Sequence, residues 1–186
     1  MNPDPNLQGM LRELRKYKML ADKALVQVSE EQLFQRLDEE SNNLAIIIKH
    51  MAGNMHSRWT HFLTSDGEKP DRNRDGEFEL EESDTRATLL ERWEAGWGCL
   101  FAALSALKPA DLQRNVFIRG EPHTVVEAIQ RQLTHYAYHV GQVVFLARHF
   151  AGARWQWLSI PKGRSKDIEV SKDGRFYDVE EGTSGA

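Results

Sequence analysis

Apolar residues recur at steps of three and four along most of this chain. Leu7, Leu11, Leu14 and Tyr17 mark one face of a helix over residues 6–20. Ser29-Glu30-Glu31-Gln32 reads as a capping box that opens a short helix through Leu37. A second long helix starts at Ser41 or Asn42 and runs to about Leu63, with Leu44, Ile47, Ile48, Met51, Met55 and Phe62 as its stripe. Leu89, Leu90, Trp93, Trp97, Leu100, Phe101, Leu104 and Leu107 form the inner side of a third. Ser83 or Asp84 can cap it, and Lys108-Pro109 stops it. Thr124-Val125-Val126-Glu127 is another capping box, opening a last long helix that ends near Phe150 with Gly152 as its left-handed cap.

The intervening stretches follow a different chemistry. Residues 65–84 are mostly charged residues, Gly and Pro, and read as a surface connection whose acidic run, 77–84, is a solvated face. Residues 115–122 look extended and turning, a tiny strand pair at most. The expected fold is all-α: a four-helix bundle with a long crossover connection and a short extended segment before the last helix. Residues 1–155 are assigned to the bundle, and 156–186 to a polar C-terminal arm or tail, partly disordered.

The chain's 186 residues carry 24 Lys plus Arg against 28 Asp plus Glu, a net charge of −4. That balance, with no basic block, argues against a nucleic-acid partner. The purely apolar runs, 44–48 among them, are far below the ~18 residues a spanning helix needs, so no membrane partner is expected. The start shows no basic head leading into an apolar stretch, and a cytoplasmic location is the expectation. A lone cysteine, Cys99, lies among Trp97, Leu100 and Phe101 and reads as a small buried hydrophobe.

Seven histidines occur, and His135 and His139 are the informative pair. A step of four places both side chains on one helix face, where two imidazoles can occupy adjacent coordination positions of one metal ion. Ala128, Gln142 and Leu146 share that face, with Tyr136 and Val143 on one flank and Phe145 on the other, so it is expected to look into the bundle. Buried without partners, each imidazole would cost roughly 1–3 kcal/mol. A divalent metal or hydrogen bonds to other side chains would satisfy them. His50, beside Ile47 and near Asn43, Asn54 and His61 in azimuth, is the candidate third ligand, with His61 in reserve. His56, His123 and His149 have weaker claims. Gln142 and Asn54 are the residues expected to orient the imidazoles, while Arg58, Trp59, Trp93 and Trp97 are candidates for a cleft or, for the tryptophans, for the core.

At these residues the sequence resembles the DinB/YfiT-like superfamily of bacterial metal-binding four-helix bundles. The match rests on the lone His50 in Ile48-Lys49-His50-Met51, on the extended Ile118-Arg119-Gly120-Glu121, and on the ending His135-x-x-x-His139-x-Gly141-Gln142. It covers roughly residues 5–155, and the stretch from Trp157 onward is similar to the tail of a poorly characterised subgroup. The resemblance implies that His50, His135 and His139 bind one divalent metal ion, nickel or zinc, with water at the other positions. It also implies a homodimer. Some members of the superfamily are thiol S-transferases that use a low-molecular-weight thiol such as bacillithiol or mycothiol on a small electrophile.

Three neutral imidazoles leave the charge of a divalent cation uncompensated. A bound water is then acidified to a pKa of ~7 and a bound thiol deprotonated. A metal-dependent thiol S-transferase or hydrolase is the expected function. The competing class is a non-catalytic metal-binding or stress-associated interaction protein.

Overall fold

The computed structural model describes residues 4–164 and 166. Within them the chain is predominantly helical, in the order α1 (Pro5–Leu25), α2 (Glu30–Phe34), α3 (Leu44–Trp59), α4 (Arg86–Ser105), β1 (Asn115–Ile118), β2 (Glu121–Thr124) and α5 (Val125–Ala151). No helix among the described residues is long and apolar enough to cross a membrane.

The helix starts are set by local chemistry. Asp4 caps α1 by accepting from the amides of Asn6 and Leu7. The boxes read at Ser29 and Thr124 form as expected, with Gln32 and Glu127 closing them. Gly152, at φ +57°, ends α5 in a conformation that a side chain would strain.

Several boundaries differ from the sequence reading: α1 runs on to Leu25, α2 stops at Phe34 and α3 is capped by Asn43. Helix α4 is capped by Thr85, paired with Thr88, and neither Ser83 nor Asp84 takes that role. Asp84 is consumed by a buried ion pair with Lys49 (2.7 Å), which removes it from competition for the helix end. Helix α3 stops at Trp59 rather than Leu63, because the chain turns through Thr60 and through His61 at φ +50°.

Helix α3 packs mainly against α4, and α1 against α5, with α3 and α5 also in contact. Nearly every residue of α3 is buried. Gly96 permits the closest approach, since a Cβ there would stand 3.3 Å from the backbone of Ala52 and 3.0 Å from Met55. Trp59, Trp93 and Trp97 belong to the core, at 2%, 0% and 0% exposure, and none lines a cleft. Cys99 is half-buried, its sulfur 3.6 Å from the Thr60 hydroxyl.

The extended segment is an antiparallel hairpin with Ile118 opposite Glu121. Its two-residue turn places Arg119 at φ +55° and Gly120 at φ +75°, the pattern of a type I′ turn. The Asp66 carboxylate accepts from both turn amides, at 2.9 and 2.7 Å. After α5, Gln156 exchanges hydrogen bonds with Gln27, and Arg148 lies 4.3 Å from the centre of the Trp157 ring. Residue 165 and everything from 167 on, which includes most of the expected C-terminal arm, lie outside the described residues.

Candidate metal centre

The contact between α3 and α5 brings His50 to His135 and His139. One nitrogen of each ring lies within 4.8 Å of the others, and among the described residues no carboxylate or thiol joins this group. The Nε2 atoms of His135 and His139 are 3.1 Å apart, and those of His50 and His135 are 3.4 Å apart. Tetrahedral bonds of about 2.0–2.1 Å would hold nitrogen donors roughly 3.3 Å apart, close to these two edges, so the group could hold a metal ion.

The opposite side of two rings is already occupied. His50 Nδ1 donates to Glu77 Oε2 at 2.9 Å, and His139 Nδ1 donates to Gln142 Oε1 at 2.8 Å. A carboxylate can only accept, so Glu77 places the His50 proton on Nδ1 and leaves Nε2 with its lone pair facing the centre. Glu77 is in turn gripped by Arg72, through Nε to Oε1 and Nη2 to Oε2, both at 2.8 Å. Burial would raise the Glu77 carboxyl, but the His50 and Arg72 hydrogen bonds outweigh it and hold the group below the usual carboxylate range. Phe78 closes the face of His50, ring centres 4.8 Å apart.

Gly53, on α3, makes room for this carboxylate. A Cβ at that position would overlap Glu77.

Burial pushes His135 down to about 3, reinforced by His139 and His50 beside it. Burial also lowers His139, with Gln142 opposing and His50 adding to the effect. Both rings are therefore neutral near pH 7, the form that ligates a metal.

The centre opens onto a cavity of about 380 Å³ lined in part by Asn54, Arg58, Arg74, Arg119 and Arg131. Of the expected cleft residues, Arg58 alone is there. Of the two expected orienting groups, Gln142 holds His139, whereas Asn54 accepts from the Tyr136 hydroxyl, which itself accepts from Trp59 Nε1. The group that holds His50 is Glu77, from the run read as a solvated face. Glu77 and Asp84 are both only 6% exposed, because each pairs with a cation or ring on α3.

The flank of the histidine face also differs from the reading. Phe145 is 63% exposed and does not point inward. His61, the reserve ligand, is exposed in the turn after α3 and takes no part in the group. His56 and His149 are exposed as well, and His123 bonds the Glu121 carbonyl in the hairpin.

Residues 3–164 match the family described as "Protein of unknown function (DUF1572)". No curated protein and no solved structure matches the chain.

Proposed function

The chain belongs to the DUF1572 family, and from that premise we propose that it is a divalent-metal protein whose ion is held by His50, His135 and His139. The observation that carries this reading is the convergence of three ring nitrogens from two helices, 3.1 and 3.4 Å apart along two edges. Nickel or zinc suits an all-imidazole donor set. His50 on α3, the hairpin before α5 and the His-x-x-x-His pair support a DinB/YfiT-like four-helix bundle, and with it a homodimer.

A divalent cation bound by three neutral rings supplies Lewis acidity, enough to acidify a water or thiol at pH 7. The chain's own residues prepare that role. Glu77 and Gln142 fix the rings of His50 and His139, and Arg72 keeps Glu77 ionised and in place. The adjoining cavity gives a small molecule access to the centre, which favours a metal-dependent thiol S-transferase or hydrolase over a non-catalytic metal-binding protein.

Elemental analysis tests the centre. Purified wild type is expected to hold about one divalent metal per chain and the His135→Ala variant almost none, with the same helical circular dichroism. Equal metal in both would refute the assignment. A conjugation assay with several bacterial thiols and a model electrophile, with and without added metal, then tests the chemistry. Turnover that ignores the metal would contradict it.

A further inference from the structure

The cavity beside the histidines is lined by five arginines, Arg58, Arg72, Arg74, Arg119 and Arg131, and by no carboxylate. Acidic residues outnumber basic ones in the chain as a whole, so this bias is not compositional. Four carboxylates stand behind or beside the wall, among them Asp75, whose Oδ1 is 4.0 Å from Arg74 Nη1, and Asp66, which accepts from the Arg119 amide. Glu77 is engaged by His50 and Arg72, and Glu68 lies within 3.0 Å of Arg72, 3.5 Å of Arg119 and 3.7 Å of Arg58. Four acids set against five guanidiniums still leave the lining with an excess of positive charge.

Arg58 is the decisive residue. It is 4% exposed, yet among the described residues its Nε and Nη1 have no hydrogen-bond partner, and the nearest carboxylate oxygen is beyond hydrogen-bond distance at 3.7 Å. A buried guanidinium left in this state costs free energy that an incoming anion would recover. Burial also lowers the Arg58 pKa, which is consistent with a cation short of partners.

Arg119 adds a second signal. It sits at positive φ in the hairpin turn, a conformation held by two hydrogen bonds to Asp66, and so the backbone fixes where its side chain starts. Arg131, on α5, completes the rim one turn before His135.

We infer that this cavity is an oxyanion subsite: it takes a small molecule bearing a carboxylate or phosphate, gripped by Arg58, Arg119 and Arg131, with its other end directed to the histidine centre. The orientation toward the centre rests on the metal reading above, while the anion grip does not. A 380 Å³ cavity is of a size to take a metabolite-sized acid.

The test is calorimetric titration of the metal-loaded protein with inorganic phosphate and, separately, with succinate at constant ionic strength. Saturable binding of one anion per chain is expected, and the tighter of the two tells a phosphate ligand from a carboxylate. Arg58→Gln is expected to weaken it about tenfold or more, and so is the double variant Arg119→Gln, Arg131→Gln, whose positions are exposed and safe for folding. Should Arg58→Gln fail to fold, the double variant decides alone. Absence of saturable binding, or wild-type affinity in the folded variants, would overturn the subsite. Metal content is measured on the same samples: anion binding that persists in metal-free His135→Ala supports the subsite even if the centre fails, and full metal content without anion binding removes the subsite and leaves the centre standing.

Discussion

A metal-ligating histidine is commonly oriented by a group on its other nitrogen. For His50 that group is Glu77, which lies 27 residues away, ionised by the Arg72 fork and admitted by the missing side chain of Gly53. Glu77→Gln keeps the shape of the group but loses its charge and its guanidinium partner. Metal affinity is expected to fall roughly 10–100-fold, read by competition with a chromophoric chelator. Unchanged affinity would mean that Glu77 is a structural ion pair only. The pair His135 and His139 was legible in the sequence, because a step of four on one helix is a periodic signal. So was Gln142, three residues after His139 on the same helix. Glu77 was not, since a carboxylate that closes a contact over a long connection looks locally like any other member of an acidic run.

The same connection is pinned a second time at its end. Lys49 on α3 donates to Asp84 Oδ2 at 2.7 Å and to the Glu79 carbonyl at 2.8 Å, and Arg92 on α4 reaches Asp84 Oδ1 at 2.9 Å. Burial would raise Asp84, but the Lys49 hydrogen bond, the Glu81 amide and then the charges of Lys49 and Arg92 win and lower it. A carboxyl with a depressed folded-state pKa contributes stability that is complete above its unfolded value, 3.8 here, and is lost as pH falls through the folded one. Asp84→Asn should therefore be less stable than wild type at pH 7, with the gap closing below about pH 4 as the wild-type carboxyl protonates. Thermal unfolding of the metal-free proteins across that range measures it, and a gap independent of pH would mean that the charge of Asp84 does not matter. Helix starts set by adjacent residues, such as Ser29 with Gln32, could be read from the chain. The start of α4 could not, because Asp84 and Thr85 are both good caps and only the distant Lys49 decides between them.

At the scale of the whole molecule, the centre exists only when α3, α5 and the connection carrying Glu77 are packed together. An unfolded chain scatters these donors, so a metal held by the three proposed ligands would be linked to folding. A metal that binds the folded state alone stabilises it by about 2.7 kcal/mol at a hundredfold excess over its dissociation constant. Two variants separate this linkage from ordinary stability. Gly96→Val forces a branched side chain against the Ala52 backbone at the α3–α4 contact, an overpacking cost of about 1–3 kcal/mol, without touching a ligand. His50→Ala removes a ligand and leaves the α3–α4 contact intact. Added nickel or zinc should raise the unfolding temperature of wild type and of Gly96→Val by similar increments, although the second starts lower, and should leave His50→Ala unmoved. A rise that survives in His50→Ala would place the ion elsewhere on the surface, and the absence of a rise in wild type would detach the three imidazoles from any metal chemistry.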